Sequence, residues 1–247
     1  MGPAAAAAGL QAWYGTALGR SLAAMELRRL RGLLERLYGP LAVQVGALGA
    51  WSPLDACRAS IRLVVDPRPG TPGAALAARP DALPFEAKAI PMLLLPHVLE
   101  FYPRPHAVLR EVERVLMPEG HVIILGFNPW SLWGLRRRLH RRRGRLPWTG
   151  QFLRLGRIKD WLVLLGFEVS GGGMLYYRPP LAQAGLRRRL GFLEPAGDRW
   201  WPLLAGAYIL VARKREPGLT PLQPEWRRNG VRAPALVKPV ARACRRG

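Results

Sequence analysis

Cysteine is nearly absent from this chain. Only Cys57 and Cys244 occur, too few for a disulfide framework and too far apart for a metal-ligand spacing. A reduced, cytoplasmic protein with no metal centre is the expectation that follows. Long hydrophobic runs are missing as well. Nothing approaches the roughly 18–20 apolar residues of a membrane span, so no transmembrane segment is expected. The opening stretch MGPAAAAAGLQAWYG has no basic segment ahead of its apolar part, which argues against a secretory signal. Ala6 stands where an N-myristoylation signal carries Ser or Thr. No G-x-G-x-x-G follows any apolar run, which argues against a dinucleotide oxidoreductase.

Negative charge is the other shortage. Asp and Glu number 16 against 38 Lys and Arg, a net charge of 38 − 16 = +22. Lysine supplies only Lys88, Lys159, Lys214 and Lys238, so the excess is arginine. Two causes fit. Arg, Ala, Gly and Pro all have GC-rich codons and all are abundant; alternatively the chain meets a polyanion, either nucleic acid or an anionic membrane surface. The 247 residues, 49% of them hydrophobic, suffice for one α/β domain with a sizeable core.

What is present is a strand–helix–strand pattern between Asp81 and Ser131. Ile90 to Leu95 is continuously apolar, as in a strand buried on both faces. Pro105 to Leu116 predicts an amphipathic helix, with Val108, Leu109, Val112, Val115 and Leu116 on one side. Pro118-Glu119-Gly120 stops it, and His121 to Gly126 predicts the next strand. Such a βαβ unit builds a parallel sheet, and ligands then bind beyond the carboxyl ends of the strands. Those ends are Pro96-His97 and Phe127-Asn128. Elsewhere the pattern predicts a helix over Leu22–Tyr38, strands over Leu41–Val45 and Ile61–Val65, and a helix over Gln151–Leu165. A strand over Phe167–Ser170, a flexible hinge or close-contact point at Gly171–Gly173, a basic helix over Leu181–Leu193 and a last strand over Ala207–Ala212 follow. Residues 1–20 read as a flexible leader, 21–215 as the folded domain, and 216–247 as a disordered basic tail.

Asp81-Ala82-Leu83-Pro84-Phe85, His97-Val98-Leu99-Glu100 and Arg114-Val115-Leu116-Met117-Pro118-Glu119-Gly120, in that order and spacing, carry a resemblance. The chain resembles the class I S-adenosylmethionine-dependent methyltransferases, in particular the type 11 group, over roughly residues 25–215. The resemblance implies a Rossmann-like, seven-stranded, mostly parallel sheet whose last strand is antiparallel. It implies S-adenosylmethionine as cofactor and methyl transfer to an unidentified acceptor. Gly46 is the one clean match to the family's glycine-rich cofactor loop; Gln44 stands where an acid is expected, and Leu48 and Ala50 replace glycines. Asp66 matches the residue that accepts from the ribose hydroxyls, although Asp66-Pro67 also reads as a plain turn starter. Asp81 and Ala82 match the adenine-contacting pair, or form a loop without a ligand. Leu95 and His97 stand at the strand end facing the methyl donor. His97 reads as a pocket wall, a packed histidine or a base, and Tyr102 is the other candidate for proton transfer. Asn128 and Trp130 are candidates for framing the substrate. Trp130 and Trp133, three residues apart, equally fit a short amphipathic helix.

The segment 134–150 is a basic insertion. Arg136, Arg137, Arg138, Arg141, Arg142 and Arg143 form a candidate patch for a polyanion, because guanidinium forks match phosphate geometry. The bland reading is a solvated charged loop. For the whole chain the alternative to an enzyme is a non-catalytic protein on the methyltransferase fold, holding nucleic acid or another polyanion through this insertion and the tail.

Overall fold

Residues 2–34, 37–140, 147–181 and 183–216 are described by a computed structural model, and the chain divides after Glu216. The apolar run at the centre forms strand β4 (Ile90–Pro96), which lies between β1 (Tyr38–Val45) and β5 (Leu116–Phe127). Both pairings are parallel. Outward from β1 come β2 (Arg58–Asp66) and the two-residue β3 (Leu76–Ala77); beyond β5 come β7 (Ala207–Lys214) and β6 (Phe167–Leu175). The order is β3-β2-β1-β4-β5-β7-β6, and β7 is antiparallel to both of its neighbours. The expected α/β sheet with an antiparallel last strand is therefore the observed one.

Alternate side chains along each strand enter different cores, as a pleat requires. Val43, Val45, Leu93, Leu95, Val122 and Ile124 face one side, where helices α4 (Pro105–Val115) and α6 (Leu155–Leu164) cover them. Val108, Leu109, Val112 and Val115 of α4 are fully buried there, each contributing roughly 1.5–3 kcal/mol of apolar burial. Lys214 Nζ donates to the carbonyls of Glu113 (2.6 Å) and Leu116 (3.2 Å), satisfying acceptors at the end of α4.

Ala42, Met92, Leu94, Ile123 and Leu125 face the other side, against helices α1 (Pro3–Tyr14) and α2 (Ala17–Leu34). Here the expected leader is corrected. Residues 3–14 are helical, and Ala6, Leu10, Trp13 and Tyr14 are buried in the core. Their alanine content, read as looseness, is strong helix propensity. The crossover from β1 to β2 holds only a single 3₁₀ turn, Pro53–Ala56, and α2 packs against it. Between β2 and β3 no helix occurs.

Three boundaries also differ. Pro118-Glu119-Gly120 lies inside β5, where the register with β4 shifts and Glu119 takes φ +62°. Gly171–Gly173 is paired strand, opposite Val211, Leu210 and Ile209, so the hinge is corrected while the close-contact reading holds: a Cβ at Gly172 would press on the Ile209 carbonyl and one at Gly173 on the Arg29 guanidinium. The basic helix breaks into α7 (Ala184–Arg189), a 3₁₀ turn and α8 (Leu193–Trp200). The carboxyl ends of β1, β4 and β5 all reach the same edge. α3 (Val98–Phe101) and α5 (Leu132–His140) start just beyond β4 and β5 respectively.

Candidate active site

The loop after β1 turns at Gly46, whose φ of +92° is one that side-chain-bearing residues rarely adopt. The turn brings Ala47 N to 3.0 Å from Asp66 Oδ2, at the end of β2. Asp66 is fully buried and its carboxylate is crowded. Oδ1 accepts from Arg68 N (3.0 Å), Arg68 Nε (2.9 Å) and Thr71 Oγ1 (3.1 Å), and Oδ2 from Arg68 Nη2 (3.3 Å). Burial alone would raise its pKa; the hydrogen bonds from Arg68 and Ala47 outweigh it and hold the carboxyl below its usual range. Arg68 Nη2 also reaches Gln11 Oε1 on α1, at 2.9 Å.

Asp81 is engaged in the same manner. Arg79 grips it bidentately, Nε to Oδ1 at 2.9 Å and Nη2 to Oδ2 at 2.8 Å, and the Tyr102 hydroxyl donates to Oδ1. The hydrogen bond from Arg79 lowers its pKa. The Ala82 amide donates to Arg79 O at 3.1 Å and so closes a turn.

His97 follows β4 in a left-handed conformation, φ +56°. Its ring is fully buried between two carboxylates: Nδ1 lies 2.8 Å from Glu100 Oε2, and Nε2 lies 2.9 Å from Glu26 Oε1. Tyr14 OH donates to Glu26 Oε2 (3.1 Å), and the Phe127 amide donates to Glu100 Oε1. Burial pulls the His97 pKa down, but Glu100 and Glu26 together push it up to about 9. His97 is thus a buried imidazolium with both nitrogens occupied; of its three readings the geometry matches the packed histidine and leaves no free nitrogen for a base, and the ring acts as a clasp joining α2, α3 and the end of β4. The sequence held a clue to it. Glu26 sits on the α2 stripe between Leu22 and Leu30, where an acid is costly unless paired.

A cavity of about 40 Å³ lies over the ends of β1 and β4, lined by Gly46, Ala47, Pro67, Pro96, His97 and Tyr102. Ala6, Ala7 and Leu10 of α1 close it from above. Leu95, expected to face this space, is instead buried in the core against α4 and α6, because the pleat turns it to the other side. Asn128 and Trp130 line a separate groove of about 1050 Å³ at the same edge, together with Arg154, Trp161, Leu203 and Leu204. Asn128 is mainly structural. Its Nδ2 donates to the carbonyls of Leu203 (2.7 Å) and Ala205 (2.9 Å), and its Oδ1 accepts from Trp130 N. Trp133 is buried and stacks on Phe127 at 5.5 Å, while Trp130 stays exposed, so the three-residue spacing separates an inward from an outward tryptophan.

Of the arginine patch, Arg136 lies over the Trp148 ring (5.0 Å) and Arg137 over Phe152 (5.4 Å), both turned back onto the domain. Arg138 is exposed, and Arg141, Arg142 and Arg143 lie outside the described residues. Among the described residues no cluster of His, Cys, Asp and Glu suits a metal ion, and no helix is long and apolar enough to cross a membrane.

The fit to S-adenosylmethionine is therefore split. Asp66 and Asp81, the acids that the resemblance assigns to ribose and adenine, lie at the end of β2 and in the loop before β4. In this arrangement both carboxylates are taken by arginines, and 40 Å³ is far short of the roughly 300–1,000 Å³ of a ligand pocket. The cavity in this arrangement does not hold the cofactor.

Residues 56–124, from the 3₁₀ turn through most of β5, match a family profile described as methyltransferase domain; the match leaves out β1 and the Gly46 loop. The chain is 34% identical to the uncharacterized protein YafS of Escherichia coli, over 78% of this chain and 76% of that protein. Among solved structures it is similar to an S-adenosylmethionine-dependent methyltransferase of Thermotoga maritima, described as a possible histamine N-methyltransferase (TM-score 0.58, 14% identity, 77% of this chain and 90% of that one). It is also similar to a methyltransferase-fold protein of Listeria monocytogenes (TM-score 0.55, 13% identity, 78% and 98%). At those identities the two structures speak for the fold.

Proposed function

This chain belongs to the S-adenosylmethionine-dependent methyltransferase family, and from that premise we propose that it transfers a methyl group at the carboxyl edge of its sheet after that edge opens. The cofactor would lie over β1 and β4, with Asp66 toward its ribose, Asp81 and the Ala82 amide toward its adenine, and Gly46 allowing backbone approach. A bound S-adenosylmethionine supplies an activated methyl sulfonium. The protein then has only to orient the acceptor and exclude water. The unidentified acceptor would occupy the groove framed by Asn128 and Trp130.

The observation that supports this reading is the adjacency of parts. A cavity over the ends of β1 and β4 and a large groove beyond β5 share one edge of the sheet. His97 is assigned no proton transfer, since both of its nitrogens are paired. Tyr102 lines the cavity, but burial and the bond to Asp81 raise its pKa, which suits a wall better than a base.

One observation favours a second reading, a scaffold that no longer transfers methyl groups and holds a polyanion instead: Arg68 and Arg79 already neutralise the two acids. Calorimetric titration with S-adenosylmethionine and S-adenosylhomocysteine separates the two. Micromolar binding of both supports the enzyme. Absence of binding at millimolar ligand overturns it and leaves the scaffold.

A further inference from the structure

Helix α5 is turned inside out. Leu132, Leu135 and Leu139 recur at i, i+3 and i+7, the spacing of a single apolar stripe, yet all three are exposed, Leu139 at 70%. Only Trp133 and Gly134 of this helix are buried. Gly134 sits so close to the Asn128-Pro129 turn that a Cβ would collide with the Pro129 carbonyl, which fixes the helix in this orientation.

A second exposed apolar segment is tied to the loop that leads into this helix. Trp200, Trp201, Leu203 and Leu204 are exposed, Leu203 at 72%. Asn128, in the loop before α5, donates to the Leu203 and Ala205 carbonyls, so that loop and the second segment meet at the groove that Trp130, Leu203 and Leu204 line. Arginines interleave with this surface: Arg138, Arg154, Arg157 and Arg199 are exposed, and the Arg154 guanidinium rests over the Trp130 ring at 4.7 Å.

We propose that this rim, α5 together with residues 200–204, is a docking face for an anionic lipid bilayer. An interfacial helix combines outward aliphatic side chains that enter the acyl boundary with arginines that meet lipid phosphates. Exposed tryptophans suit the headgroup level, where a ring is part apolar and part wet. Nucleic acid would use the arginines and leave the leucine stripe in water. A second copy of the chain would set this positive surface against its own like. The lipid surface is the partner that satisfies both halves of the pattern, and it needs no membrane-crossing helix.

The test is co-sedimentation of the full chain with phosphatidylcholine vesicles, with and without phosphatidylglycerol, at low and high salt. The expected result is binding to the phosphatidylglycerol vesicles only, weakened several-fold by salt. Leu135→Ser with Leu139→Ser, both at exposed positions, is expected to lower the bound fraction several-fold without moving the melting temperature. Leu203→Ser should do the same independently, should the helix variant misfold. Three outcomes overturn the proposal: no sedimentation of the parent protein, binding that the leucine variants leave unchanged, or a dimer that the leucine variants dissolve. Tight binding of an RNA oligonucleotide with none to vesicles would also overturn it and assign the face to nucleic acid.

Discussion

Arg68 closes on the buried Asp66 carboxylate, with Nε 2.9 Å from Oδ1 and Nη2 3.3 Å from Oδ2. The same Nη2 reaches Gln11 on α1, so one side chain links the acid to the helix above the cavity. If Arg68 competes with ribose hydroxyls, Arg68→Ala raises S-adenosylmethionine affinity about tenfold, or about 1.4 kcal/mol. Isothermal titration reads this directly, and equal or weaker affinity would show that Arg68 is not a competitor.

Asp66 also holds the Gly46 loop through the Ala47 amide and the Arg68 turn through Thr71. Asp66→Asn is expected to cost about 2–4 kcal/mol in urea unfolding, because it unbalances a buried ion pair. The folded pKa lies below the unfolded one, so this stabilisation is present above the unfolded pKa of about 3.9 and is lost as pH falls through the folded value. The variant's acid-side stability profile should be flatter than the parent's; a matching slope would remove Asp66 as its source.

His97 works in the opposite pH range. Its folded pKa of about 9 exceeds the model-peptide value of 6.5. The stabilisation is therefore complete below about pH 6.5 and is lost as pH rises through about 9. The melting temperature of the parent protein should fall across that window, by an amount equivalent to roughly 3 kcal/mol. In His97→Gln the fall should vanish, with lower stability at pH 6. A parent curve flat from pH 6 to 9.5 would contradict the buried imidazolium.

The two tryptophans of the β5 loop give a paired test. Trp133 is enclosed by Trp13, Phe127, Trp148 and Tyr176. Trp133→Ala should cost about 3–5 kcal/mol. Trp130→Ala, at an exposed ring, should stay within about 0.5 kcal/mol. Equal costs would mean that the inward and outward assignments are wrong.

The parallel centre of the sheet was legible because Ile90–Leu95 and His121–Gly126 are apolar on both faces and α4 carries an unbroken stripe. The antiparallel last strand was legible only through the resemblance, since nothing local in Ala207–Ala212 encodes direction. Residues 3–14 were misread because alanine and glycine are common to leaders and helices alike, and burial at Leu10 and Trp13 is decided by a sheet that begins at residue 38. The acids were found but their state was not. That Arg68 and Arg79 bend back onto neighbours two residues away is set by turn geometry, which spacing does not encode. Leu95 was misplaced by a face: strand position was right, and the pleat decided the side. Glu26 and Glu100 went unread as partners of His97 because the clasp spans 71 residues on one side.

The cover over β1 and β2 comes from residues ahead of the sheet, since their own crossover contributes only one 3₁₀ turn. During synthesis this inverts the usual sequence of events. The helices α1 and α2 leave the ribosome before β1, so their apolar faces are available to β1 as it emerges, and it need not wait for a later helix to close over it. Trimming α1 would leave the parallel pair without its shelter at the stage when unpaired strand edges are most prone to aggregate.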